Sequence, residues 1–129
     1  MAYDILVVDD EPQARALLRE FLGMHGHEVL EAPNGKIGLE TLREHRPRIV
    51  ILDILMPVMT GIQCFAEIVK DPSLTDTKVI MLTAINSVTS GGFDPKELAE
   101  TCGRMPDLYL EKPVRLGDLV ETIQQMLGK

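Results

Sequence analysis

Ile49-Val50-Ile51-Leu52-Asp53-Ile54-Leu55-Met56-Pro57 decides the fold. No polar residue alternates within Ile49 to Leu52, so they read as a strand buried on both faces, as in parallel sheets flanked by helices. Asp53 stands at the end of that strand, and Pro57 prevents a helix from starting at once. A carboxylate after an apolar run is costly to bury unless something compensates it. It either points into a cleft at the carboxyl end of the strand or is paired. In open parallel α/β sheets that edge is where ligands bind.

The flanking segments repeat the arrangement. Ile5-Leu6-Val7-Val8 is a short apolar run that also ends in acids, Asp9-Asp10-Glu11, and Pro12 suits the first turn of a following helix. Ala14, Leu17, Leu18, Phe21 and Leu22 recur at helical spacing as far as Met24, and Gly26 is the stop. His27–Ala32 reads as a second strand, Asn34-Gly35 as a turn, and Lys36 to His45 as a helix with Ile37, Leu39 and Leu42 inward. Beyond the Asp53 strand, Gly61 ends a loop. Ile62, Phe65, Ile68 and Val69 mark a third helix, closed by Asp71-Pro72-Ser73. Lys78–Leu82 is a fourth strand ending at Thr83-Ala84. Asp94-Pro95-Lys96-Glu97 combines an N-cap, a proline at the first helical position and an acidic first turn, which predicts a short helix to about Thr101. Leu108-Tyr109-Leu110 is a fifth strand, ending at Glu111-Lys112-Pro113. Leu116, Leu119, Val120, Ile123 and Leu127 stripe a last helix. Five β-α units with helix-length connections require parallel pairing and right-handed crossovers. The fold class is therefore α/β, a five-stranded doubly wound parallel sheet with helices on both faces.

A chain of 129 residues is expected to form one domain over 1–129, large enough to need no disulfide or metal staple. Its 45% apolar and 26% charged residues are ordinary for a globular domain. A net charge of −7 argues against direct nucleic-acid binding and against an anionic membrane surface. Cys64 and Cys102 lack CxxC spacing and read as reduced thiols. No signal peptide and no run approaching the ~20 residues of a membrane span is visible, so a cytoplasmic location is expected. His25, His27 and His45 show no metal spacing and are assigned solvent-facing or packing roles.

The strand ends carry the chemistry. Asp9 and Asp10, Asp53, Thr83 and Lys112 each follow a different strand, and a parallel sheet gathers such ends on one edge. Singly, a strand-end Asp is usually a turn former and a Thr or Lys there a cap or solvated turn. Together they form a cleft in which three carboxylates repel, and a hard divalent cation such as Mg²⁺ relieves that repulsion. Cation, hydroxyl and lysine then suit the binding and transfer of a phosphoryl group, with a carboxylate as nucleophile.

On these residues the chain resembles the receiver domain of two-component response regulators, over nearly its whole length. Val7-Val8-Asp9-Asp10-Glu11-Pro12, Leu52-Asp53-Ile54-Leu55-Met56-Pro57-Val58-Met59-Thr60-Gly61, Leu82-Thr83-Ala84 and Tyr109-Leu110-Glu111-Lys112-Pro113 carry the resemblance, in order. It implies a flavodoxin-like strand order 2-1-3-4-5. It implies that Asp53 accepts phosphate from the phosphohistidine of a sensor histidine kinase or a histidine phosphotransfer protein. Asp10, Asp53 and the backbone carbonyl of Leu55 would ligate Mg²⁺ (or Mn²⁺), with Asp9 acting through water. Lys112 would pair with a phosphoryl oxygen, Thr83 would move to hydrogen-bond it, and Tyr109 would turn inward as a switch. The resemblance further implies a non-enzymatic signalling module with slow self-dephosphorylation. Its output would pass to a downstream protein through the face of the fourth helix, fifth strand and fifth helix, from a monomer or a weak phosphorylation-dependent dimer. The Lys112-Pro113 bond is a candidate cis peptide.

Some features depart from that pattern. The span from Thr83 to Lys112 is long, with Gly91-Gly92 and Asp94-Pro95 where the family's fourth helix normally begins. This predicts an atypical region after the fourth strand, with a displaced or shortened helix preceded by a mobile loop. Leu55 and Ile85 flank the site with apolar groups, which would hinder attacking water and lengthen the life of the phosphorylated form. Arg15 and Arg19, beside Glu11 and Glu20, read as an ordinary solvated face of the first helix, with kinase docking as the alternative.

Three other functions fit less well. A Mg²⁺-dependent phosphohydrolase would need a second acid two residues after Asp53 and a substrate cap. A nucleotide or flavin binder would need a glycine-rich first turn where the chain has Asp-Asp-Glu-Pro. A receiver-like protein indifferent to phosphorylation would not keep the full acceptor set. The sequence as it stands reads as a free-standing receiver module without an output domain.

Overall fold

The structure, a computed structural model, describes residues 4–53, 59–84, 100, 103, 106–112 and 115–128. For Thr83, Ala84, Glu111 and Lys112 it describes the backbone alone. The elements are β1 (Ile5–Val8), α1 (Pro12–Met24), β2 (Val29–Ala32), α2 (Gly35–His45), β3 (Ile49–Asp53), α3 (Gly61–Lys70), a 3₁₀ turn (Pro72–Leu74), β4 (Lys78–Ala84), β5 (Leu108–Lys112) and the C-terminal helix α4 (Leu116–Met126). The five strands are all parallel, in the order β2-β1-β3-β4-β5. The expected α/β doubly wound sheet, including its strand order, is therefore what the chain forms. The short helix expected from Asp94 to Thr101, apart from Glu100, which is helical, the loop before it, Leu55, Ile85, Cys102 and the Lys112-Pro113 bond fall outside the described residues.

Strand alternation sorts the apolar residues into two cores, one on each face of the sheet. Leu6, Val8, Val50, Leu52, Val79 and Met81 pack with Leu39 and Leu42 of α2 and Cys64, Phe65 and Ile68 of α3. Ile5, Val7, Ile49, Ile51, Ile80 and Leu82 pack with Leu18 and Leu22 of α1 and Leu119, Val120 and Ile123 of α4. All of β1 and β3 is buried, as the unbroken apolar runs required. Each such side chain contributes roughly 1.5–3 kcal/mol relative to exposure.

The ends of the helices follow local chemistry. Pro12 opens α1, and Gly26 closes it at φ +86. The His27 amide returns to the Leu22 carbonyl at 3.2 Å and the Gly26 amide to Gly23 at 3.1 Å, a Schellman closure. That closure holds His27 out of the sheet, so β2 starts at Val29 and not at His27 as the residue types suggest. His27 is buried, whereas His25 and His45 are exposed. Asn34 caps α2 by accepting from the Ile37 amide, and Thr60 and Gln63 form a capping box on α3.

One inward assignment needs correction: Ile37 is 39% exposed. The buried face of α2 is Gly35, Gly38, Leu39 and Leu42. At about 100° per residue, Ile37 lies roughly 150° from the centre of that stripe. The glycines define the contact face because they let the helix approach closely. A Cβ on Gly38 would sit 3.0 Å from a methyl of Val8, and one on Gly35 would meet the Met59 carbonyl oxygen at 3.0 Å. On α1, Leu18 and Leu22 hold the buried stripe and Leu17 falls beside it.

Candidate functional site

Register brings the acids together. Val8 pairs with Leu52 in β1–β3, so Asp9 and Asp53 follow side by side at the carboxyl edge. Carboxylate oxygens of Asp9, Asp10 and Asp53 all lie within 4.8 Å of one another. Asp9 and Asp53 are 2% and 7% exposed, while Asp10 is open to solvent. In β3–β4 Asp53 pairs with Leu82, which puts Thr83 one step beyond, and Ala84 pairs with Lys112 in β4–β5. The backbone thus carries Thr83 and Lys112 to the same edge as the acids. Tyr109 is half-buried on β5 and packs against the α2–α3 core.

Asp9 is held from several sides. Its amide donates to the Ala32 carbonyl at 3.1 Å, extending the β1–β2 ladder past Val8. Its Oδ1 accepts from the Glu11 amide at 2.9 Å, which shapes the turn into α1. Its carbonyl accepts from Arg15 Nη1 at 2.7 Å. Arg15 also lies 3.5 Å from Glu31 on β2, and Arg19 Nη1 lies 3.1 Å from the same carboxylate. Arg15 is only 16% exposed. It is not part of a solvated helical face, and its partner is Glu31 and not Glu11 or Glu20. The only advance sign of this contact was an acid in an otherwise apolar strand opposite an i, i+4 arginine pair.

The opposite edge of the sheet holds a cavity of about 480 Å³ lined by Arg46, Arg48, Lys78 and the end of α4. Two of these three cations already have a structural task. Arg48 donates to the Leu127 carbonyl and Lys78 to that of Met126, both at 3.2 Å, completing the carboxyl end of that helix. Among the described residues the three aspartates are the one group of acids, thiols or imidazoles placed to hold a metal ion. No described helix is long and apolar enough to cross a membrane.

Comparison with known proteins agrees with the geometry. The family model described as the response regulator receiver domain matches residues 5–124. Protein PilH of Pseudomonas aeruginosa is 34% identical over 124 residues, covering 96% of this chain and 97% of its own length. The probable transcriptional regulator ycf27 of Pyropia yezoensis is also 34% identical, and there this chain spans 47% of the relative's length. The solved chemotaxis protein CheY4 of Vibrio cholerae superposes with a TM-score of 0.80 at 27% identity, covering 98% of this chain and 99% of that one. With its strand order, its three clustered aspartates and a family match over nearly all its length, this chain belongs to the response regulator receiver domains of two-component signalling.

Proposed function

We propose that the chain is a phosphoacceptor switch in which Asp53 takes a phosphoryl group from a phosphohistidine. The observation that carries this is the meeting of Asp9, Asp10 and Asp53 within 4.8 Å at the carboxyl edge of a parallel sheet. A carboxylate oxygen of Asp53 forms the new O–P bond as the N–P bond of the donor breaks, and the imidazole nitrogen keeps the electron pair. The donor is a sensor histidine kinase or a histidine phosphotransfer protein, as suits the family.

The acid cluster fits Mg²⁺ or Mn²⁺. Its donors are all oxygens, two of the three carboxylates are buried, and the spacing is compatible with an octahedron whose ligands stand roughly 3 to 4.2 Å apart. Asp10, Asp53 and the Leu55 carbonyl would hold the ion, with Asp9 acting through water. When bound, the ion supplies charge neutralisation for the phosphoryl oxygens. Lys112 and Thr83 lie on strands that end at this edge and take the remaining phosphoryl oxygens. Tyr109, half-buried on β5, acts as the switch aromatic. The phosphorylated form decays by slow self-hydrolysis and signals to a protein partner from a cytoplasmic, single-domain module.

The test is phosphorylation by acetyl phosphate with Mg²⁺, read by intact mass. One added phosphoryl group that disappears in Asp53→Asn is the expected result. No addition, or addition insensitive to that substitution, refutes the assignment.

A further inference from the structure

We propose that Arg15 is a positioning residue for the acid cluster. Clamped by Glu31, it locks the Asp9–Asp10 peptide and so sets the cluster's affinity for a divalent cation. The inference rests on the reading of Asp9, Asp10 and Asp53 as a metal site. Asp9 is fixed at its amide by Ala32, at its carboxylate by the Glu11 amide, and at its carbonyl by Arg15 Nη1. Of these contacts only the last comes from a side chain outside the turn. That side chain is largely buried, and its Nε is sealed from solvent with no hydrogen-bond acceptor among the described residues. Glu31 Oε1 stands 3.5 Å from the Nε, while the other Glu31 oxygen is taken by Arg19. Val7 pairs with Glu31 in the β1–β2 register, so the carboxylate projects from the sheet just below the acid edge.

Two effects of the guanidinium oppose each other. As a nearby positive charge it weakens the pull of the acids on a second cation, so removing it should tighten binding. As a clamp it keeps the first two acids in place, so removing it should loosen binding. Groups that orient metal ligands typically account for about 10–100-fold in affinity. The planar fork reaches Asp9 and Glu31 together, which a lysine ammonium on a flexible stem does not reproduce. The clamp should dominate, because the arginine is bonded to the backbone of an acid of the cluster and Glu31, shared with Arg19, offsets part of its charge.

The experiment measures Mg²⁺ dissociation constants by calorimetry for the full chain and for R15M, R15K and E31Q, well below their unfolding transitions. R15M and R15K should each weaken binding about tenfold or more, and E31Q severalfold. A merely structural role would lower the melting temperature and leave the dissociation constants alone. Unchanged or tighter binding by R15M overturns the proposal, and so does wild-type affinity in R15K, which carries the test if R15M fails to fold. Wild-type protein that binds no Mg²⁺ overturns the metal reading and this inference with it. Wild-type binding with unaltered variants overturns the clamp alone.

Discussion

Replacing Asp53 by Asn should make the metal-free protein more stable while abolishing its response to Mg²⁺. Three carboxylates within 4.8 Å repel in the absence of a cation. At that separation each pair costs about 0.9 kcal/mol in the dielectric of water and about 3.5 kcal/mol at an effective constant of 20. The substitution removes two pairs and one buried charge. Exposed Asp10 places the interaction toward the lower limit, so a gain of about 2 kcal/mol is expected. For a domain of this size that raises the melting temperature by roughly 6–10 °C. Urea unfolding in EDTA at low salt reads the gain as a higher midpoint at an unchanged slope. Excess Mg²⁺ should then reverse the order, because a ligand at a hundred times its dissociation constant adds about 2.7 kcal/mol to the wild type alone. Reduced or equal stability of the metal-free variant, or equal stabilisation of both proteins by Mg²⁺, would show that the acids do not form one electrostatic unit.

Three further outcomes are expected. Gly38→Ala gains helix propensity of about 1 kcal/mol but presses a Cβ to 3.0 and 3.2 Å from the Val8 methyls. Overpacking of about 1–3 kcal/mol should outweigh that gain, giving net destabilisation in urea melts. The carboxyl of Asp71 is held down to about 2 by hydrogen bonds from the Ser73 side chain, then from Arg43 and the Ser73 amide. Its folded pKa lies below the ordinary value of 3.8, so its contribution is present above that value and lost as pH falls toward 2. Ser73→Ala should move its NMR titration upward, and an unmoved titration would contradict the assigned cause. Burial pushes the Cys64 thiol up to about 12. Alkylation near neutral pH followed by peptide mapping should leave Cys64 unmodified in the native protein and label it only in denaturant.

The parts of this molecule legible in its sequence share one property: they were forced by burial. An unbroken apolar run such as Ile49–Leu52 has few places to go but the middle of a parallel sheet. A carboxylate at its end then has to be near others that explain it. Asp9, Asp10 and Asp53 converge as that argument required. Features depending on one particular side-chain contact between two elements were not legible. Nothing near Arg15 announces Glu31, so an arginine bonded to the Asp9 carbonyl resembled any other solvated helix residue. Periodicity also misplaced Ile37, because it counts apolar residues and passes over glycine. Gly35 and Gly38 have no side chain to score, yet they define where α2 touches the sheet.

The adjacency of β1 and β3 has a kinetic consequence. Their acids meet only after a strand and two helices of intervening chain have been folded back to allow the pairing. Loop-closure entropy makes such non-local pairing slow to form. A cation that binds the assembled acids therefore discriminates between two orders of events. If β1 and β3 dock before the folding barrier, Mg²⁺ accelerates refolding. If they dock after it, Mg²⁺ leaves refolding unchanged and slows unfolding alone. The same ion proposed to serve phosphotransfer thus becomes a time-stamp for the central step in building the sheet.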